Sequence, residues 1–280
     1  MMTIKRTRHT SSRLPFSVAL GFGWLGLMLL VAIFADVIRP HEISALDLSA
    51  RLAPPLTAGH WLGTDELGRD VLSRLLRSIR VSQAIAFGAT IISAVFGTAL
   101  GFLAARRRGS VEHLVVALSD FQAALPFLIL ALAVLAFAGN SLSILVFLMG
   151  SYGWERYARI ARSLAISAEA QGYAMAVAQL GATPLRIYVR HILPNVAATL
   201  IVSMTLTFPD IILMESALSF LGLGVQPPDS SLGNMVGFGR VYLTRAPWIM
   251  LAPSTVIVLT TLAVSLCGDW LRDRLDPTVG

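Results

Sequence analysis

The sequence predicts an all-α polytopic membrane protein of about six transmembrane helices, with a cytoplasmic helical loop between the fourth and fifth. Three observations carry this. Of the 280 residues, 55% are hydrophobic and only 14% are charged, against roughly 25% charged in soluble domains. Mean hydropathy is +0.72, and the apolar residues gather in runs close to the ~20 that a helix needs to cross a bilayer. No stretch shows the period-two alternation of a barrel strand. A span in lipid must pair its backbone internally, so these runs are expected to be helices.

Charge and rare residues narrow the function. The net charge is +6 and the pI is near 10.2. In a soluble chain that balance points to nucleic acid. Here the basic residues sit between apolar runs, where they set membrane orientation, so no nucleic-acid partner is expected. The one cysteine, Cys267, excludes an intrachain disulfide and a cysteine-rich metal centre. The five histidines have no ligand-type spacing, so no metal is expected. Lys5 is the only lysine and no glycine-rich run precedes it. A standard P-loop, whose lysine reaches the β- and γ-phosphates, is therefore absent, and the chain is not expected to be an enzyme.

The elements follow in order. Residues 1–15 form a basic N-terminal tail and 16–38 the first span. A cleaved signal peptide is the competing reading, but its apolar core would be about 7–15 residues with a small-residue cleavage site. Residues 39–82 form a polar periplasmic loop, where Pro40, Pro54 and Pro55 forbid a long helix early on. Its end, 70–81, places Val71, Leu72, Leu75, Leu76 and Ile79 on one side and Arg74, Arg77 and Arg80 on another. That pattern predicts a short amphipathic helix at the membrane surface.

A five-helix core over 83–268 comprises spans at about 83–105, 114–138, 141–158, 195–214 and 248–268, and 269–280 is the C-terminal tail. The second span carries Gly97 and Gly101 in a GxxxG pattern, which permits close helix approach but also arises by chance in Ala/Gly-rich spans. Glu155 and Arg156 shorten the fourth. Six spans put both termini on one side. Lys5, Arg6, Arg8, Arg13, Arg106, Arg107, Arg108, Arg156, Arg159, Arg162, Arg186, Arg190, Arg272 and Arg274 outnumber the arginines of the other side. By the positive-inside rule both termini are cytoplasmic.

Segment 163–195 is alanine-rich, helix-prone and too polar to span. Gly181 and Pro184 stop a first short helix. A turn and a second short helix follow, and Pro194-Asn195 opens the next span. A small-faced helix in the cytoplasm suits a groove on a partner, with an ordinary connecting loop as the alternative. Asp120, Asp210 and Glu215 are acids in or at the ends of spans. Such carboxylates either line a substrate path or pair within the bundle, and pairing is the preferred reading. Phe220-Leu221-Gly222-Leu223-Gly224 is too short to span and is expected to re-enter from the periplasmic side.

Tyr173-x-x-Ala176-x-x-x-Leu180-Gly181-Ala182, followed by Arg190-His191-Ile192-Leu193-Pro194-Asn195, resembles the EAA loop of ABC importer permeases. Met175 and Val177 stand where that motif has its glutamate and second alanine. Leu62-Gly63-Thr64-Asp65-x-x-Gly68-Arg69-Asp70-Val71-Leu72-Ser73-Arg74, Trp154-x-x-Tyr157-Ala158-Arg159-x-x-Arg162, and the stretch from Glu215 to Pro228 are similar to the DppC/OppC/NikC-type permeases of dipeptide, oligopeptide and nickel importers. Asp120-x-x-x-x-x-Pro126 fits the same pattern, with Ala117 where an arginine is common.

The resemblance implies an inner-membrane half-transporter that binds no cofactor itself. It would pair with a second homologous permease, two ABC ATPase subunits that use ATP and magnesium, and a periplasmic solute-binding protein. It makes Tyr173, Ala176, Leu180, Gly181, Ala182, Arg190 and Pro194 the ATPase-coupling loop. Peptides are the expected substrate, with nickel or another small solute as the alternative. A secondary transporter is the alternative of a different class, although no internal repeat or row of coupling acids supports it. An intramembrane enzyme lacks any HExxH or Ser/His pair.

Overall fold

A computed structural model describes residues 14–171, 177 and 179–275. The described residues are helical, apart from loops and two isolated bridges, Thr57 with His60 and Thr64 with Asp70. Four helices are long and apolar enough to cross a membrane. They are α1 (Phe16–Ile38), α2 (Val71–Arg107), α7 (Pro184–Phe220) and α9 (Trp248–Leu275). The pair α3 (Ser110–Ala124) and α4 (Phe127–Ala138) qualifies as a fifth if its 91° bend lies within one span. Among the described residues there are also the shorter helices α5 (Leu142–Gly150), α6 (Trp154–Glu169) and α8 (Leu232–Gly239).

Helix α1 packs antiparallel against α9. Trp24 Nε1 donates to Thr260 Oγ1 at 3.1 Å, and Phe22 meets Trp270 edge-to-face at 5.8 Å. Both described chain ends therefore lie at one end of the bundle. Leu20, Leu27, Leu30, Ile33 and Phe34 stay exposed on α1, as expected for a face turned to lipid.

The amphipathic stretch at 70–81 is not a separate surface helix. It forms the first three turns of α2, a helix of 37 residues, about 55 Å at the α-helical rise. Its arginines reach acids from three parts of the chain. Arg74 is buried against Asp65, Arg77 pairs with Asp229 and Asp36, and Arg80 pairs with Asp36. The amphipathic spacing reflected burial in protein, which gives the same periodicity as a membrane surface.

The expected span at 141–158 is also not a single apolar helix. Helix α5 ends at Gly150, the chain turns through Gly153 at φ +80°, and α6 restarts with a charged face. Both pieces follow α2 in the same direction. Gly150 sits on Ile92, Trp154 and Tyr157 on Gly97, and Ala158 and Ala161 on Gly101. The third expected span bends at Leu125-Pro126, because Pro126 holds Leu125 in an extended conformation and supplies no N–H.

No break separates the segment after Thr183 from the following span, so the second short helix and the start at Pro194 are corrected. Thr183 caps α7 by accepting from Arg186 N, and Pro184 occupies the first turn. The helix then widens into a π turn at Tyr188–Ile192, with Leu193 N bonding the Tyr188 carbonyl. The wider turn accommodates Pro194, whose ring would clash with a regular helical carbonyl four residues back.

After α7 the chain folds back along it. Gly222 adopts φ +84°, and a Cβ on Gly224 would meet Ser219. Helix α8 packs Gly233 on Ser216 and Gly239 on Met250, between α7 and α9. The expected re-entrant segment is thus a return loop followed by a short helix.

Candidate coupling loop and polar clusters

Residues 170–183 connect α6 to α7 at the end that also carries Arg106, Arg107 and Arg108. Tyr173 and Ala176 lie outside the described residues. The loop's far side is described. Leu180 is 87% exposed and Leu185 72%. Gly181 takes φ +82°, and a Cβ at that position would have nothing within 4 Å. Ala182 N bonds the Val177 carbonyl at 3.3 Å, which closes the helix end around that glycine. Arg190 and Pro194 are not buried on α7, whereas Tyr188 and Ile192 of the same turns are.

The base of this loop is pinned. Tyr188 Oη donates to Glu169 Oε1 at 2.5 Å, and its ring meets Phe102 of α2 at 5.2 Å. Arg162 of α6 pairs with Glu112 of α3. Leu180 and Leu185 are thus exposed beside a base held by a hydrogen bond and an ion pair.

The three expected acids do not form one site. Asp120 pairs with Arg159, Oδ1 to Nη2 at 3.0 Å, and Asp210 pairs with Arg156 at 3.6 Å. Both arginines stand on α6, three residues apart. Glu215 is separate and only 1% exposed. Its carboxyl group accepts from Ser219 Oγ at 2.6 Å and Ser82 Oγ at 3.4 Å. Ser82 Oγ accepts from Leu232 N at 3.0 Å, and Ser231 Oγ donates to Ser219 Oγ at 3.1 Å. This ring ties α2, α7 and the start of α8 together. Its serines carry no signal in the sequence, because isolated serines in an apolar run form no pattern.

A second cluster, at the opposite end, holds the 39–70 loop on α2. Asp65 is fully buried and accepts from Leu67 N and Arg69 N, each at 2.9 Å, and from Arg69 Nε at 2.7 Å. Arg74 Nη1 donates to Oδ2, the same oxygen that Arg69 Nε meets. Trp248 Nε1 donates to the Thr64 carbonyl at 3.1 Å and so anchors α9. A Cβ at Gly63 would sit 2.9 Å from that indole nitrogen, and Gly63 has φ +73°. Only glycine fits there. The histidines lack ligand spacing in sequence, yet the fold brings His41 and His60 together around Asp70.

Two glycines set the distance between α2 and α6. A Cβ on Gly97 would lie 2.7 Å from Tyr157 Cβ, and one on Gly101 would lie 2.9 Å from Ala161 Cβ. The GxxxG spacing is therefore a packing site.

This architecture is that of a polytopic membrane protein. Residues 97–280 match the family described as binding-protein-dependent transport system inner membrane component, and the chain belongs to that family. The family is a transport component and not an enzyme. The chain is 40% identical over 266 residues to the di/tripeptide transport system permease protein DppC of Pseudomonas aeruginosa, covering 92% of this chain and 88% of that one. It is 36% identical to the oligopeptide transport system permease protein OppC of Mycobacterium bovis, over 90% and 87% of the two chains. A putative peptide transport system permease protein of Brucella abortus is 38% identical over 99% and 91%. The inward-facing MetNI methionine ABC transporter contains a chain of the same fold, with TM-score 0.57 and 20% identity over 72% of this chain and 96% of that one.

Proposed function

We propose that the chain forms half of the translocation path of a bacterial ABC importer for di- or oligopeptides. It pairs with a second, homologous permease, receives substrate from a periplasmic binding protein and is driven by two ATPase subunits that use ATP and magnesium. The observation that carries this reading is the loop between α6 and α7. Leu180, Gly181 and Leu185 stand open on its far side, and the Tyr188–Glu169 bond ties its base. An exposed apolar tip on a rigid support suits docking into a groove of a motor subunit. Tyr173, Ala176, Ala182, Arg190 and Pro194 complete that docking element.

Arginines crowd the same end of the bundle, which favours a cytoplasmic position for it and for both termini. The 39–70 loop then faces the periplasm. Six crossings result when α3–α4 and α5–α6 each count once. Asp120 and Asp210 keep exposed carboxylates, 65% and 39%, and we assign them to the face toward the path. Glu215, enclosed by serines, holds helices together. Peptide is favoured over nickel because the relatives at 36–40% identity are peptide permeases.

Whole-cell uptake of labelled dipeptide and labelled nickel tests this, in a strain lacking the gene and complemented with wild type or Gly181→Arg. Peptide uptake restored by wild type alone supports both substrate and coupling loop. Nickel uptake restored instead overturns the substrate. Full uptake by Gly181→Arg overturns the coupling assignment.

A further inference from the structure

His41, His60 and Asp70 come from three separate stretches of chain, and their ligand atoms all lie within 4.8 Å of one another. His41 follows α1, His60 closes the turn at Thr57–His60, and Asp70 caps α2. The carboxylate is oriented by its neighbours. Its Oδ2 accepts from Ser73 N and Ser73 Oγ, each at 2.7 Å, and Ser73 Oγ also accepts from His41 N at 3.0 Å. Its Oδ1 meets His60 Nδ1 at 3.0 Å, and its Oδ2 lies 3.9 Å from His41 Nδ1. The two imidazoles stand side by side, 5.0 Å between centroids and 31° between planes.

Charge balance makes this cluster unlike its neighbour. Asp65, five residues earlier, is neutralised by Arg69 and Arg74. The Asp70 side chain is only 1% exposed, and its ion pairs among the described residues are with the two histidines. A buried carboxylate calls for a positive partner. His41 Nδ1 is itself buried and has no hydrogen-bond partner among the described residues. So the cluster presents one carboxylate oxygen, one imidazole nitrogen bonded only to that carboxylate and one nitrogen with nothing to bond.

We propose that His41, His60 and Asp70 bind a divalent transition-metal ion of the zinc class. Two imidazoles and one carboxylate form a nitrogen–oxygen set that zinc accepts, with bonds near 2.0–2.2 Å and ligand atoms therefore about 3.3 Å apart. His60 Nδ1 lies 3.0 Å from Asp70 Oδ1 and His41 Nδ1 lies 3.9 Å from Oδ2, each within about 0.6 Å of that spacing. Ser73 supplies the outer hydrogen bonds that fix a ligating carboxylate. On binding, the ion takes the place of the hydrogen between His60 Nδ1 and Asp70 Oδ1, and His60 holds its ring hydrogen on Nε2. The bound ion clamps the segment after α1 and the 57–60 turn onto the first turn of α2.

The test uses the full chain, co-expressed with its partners, carrying a tag without histidines and stripped with a chelator before reconstitution in nanodiscs. Zinc titrated against a chromophoric competitor should bind one ion per chain, whereas magnesium should not compete. His41→Ala should weaken zinc by at least about tenfold and abolish the zinc-induced rise in Tm, while His113→Ala leaves both unchanged. His41 makes no side-chain hydrogen bond among the described residues, so this variant should fold even where His60→Ala does not. Failure to bind zinc, or equal binding by His41→Ala, overturns the proposal.

Discussion

Tyr188 and Glu169 meet across the base of the α6–α7 loop, hydroxyl to carboxylate at 2.5 Å. They belong to α6 and α7, the two helices that residues 170–183 connect. The same tyrosine ring rests on Phe102 of α2, so three helices converge where the loop begins. We predict that Tyr188→Phe inserts normally but lowers uptake several-fold, since a hydrogen bond to a charged group contributes about 1.5–3 kcal/mol. ATP hydrolysis stimulated by the loaded binding protein should fall in parallel. Unchanged stimulation would remove this bond from the coupling route.

Gly101 lies where α2 and α6 touch, and a larger side chain must push the helices apart. Gly101→Val should cost about 1–3 kcal/mol, the range for overpacking. The checking measurement is the thermal midpoint in detergent, compared with Gly88→Val, whose Cβ would meet only Val146 at 3.7 Å. Equal midpoints for the two variants would contradict the packing role.

Glu215 gathers Ser82, Ser219 and Ser231 into one ring. Glu215→Gln keeps an acceptor for one serine and should be tolerated. Glu215→Ala leaves buried hydroxyls without a partner and should destabilise by roughly 1–3 kcal/mol, seen as lower membrane abundance. If Glu215→Ala is abundant but inactive in transport, the residue belongs to the path instead.

Arg74 is buried against Asp65, so Arg74→Met should be far costlier than a surface change, about 3 kcal/mol. Asp120→Asn breaks a pair that is largely exposed and should cost about 1 kcal/mol or less. A double-mutant cycle with Arg159→Gln measures that pair directly. A coupling energy comparable to that of Arg74 would mean that Asp120 is enclosed by the assembled partner.

Much of this was legible in the sequence because lipid leaves so little choice. Long apolar runs must be helices, and α1, α2, α7 and α9 contain the runs expected for them. The failures share a cause. Hydropathy registers composition and not direction, so it could not show that α2 begins a dozen residues before its apolar stretch. Nor could it show that α5 and α6 are separate pieces, since Gly153 reads as one glycine among many. The 91° bend at Pro126 had a visible signal in the proline itself. Contacts across distant chain, such as Glu215 with Ser82 or His41 with His60, have no periodicity and emerge only on folding. The proposed coupling segment resembles a known motif in the sequence, and the structure describes its far shoulder and its base.

The uninterrupted length of α2 has a mechanical consequence. One end is seized by the Asp65–Arg74 pair and the other touches Tyr188 beneath the loop. A stiff rod held this way works as a lever. A tilt of about 5° applied at one end of a ~55 Å helix sweeps the other through about 5 Å, enough to separate side chains in contact. With no proline inside it to absorb the motion, displacement at the loop must reappear across the bundle.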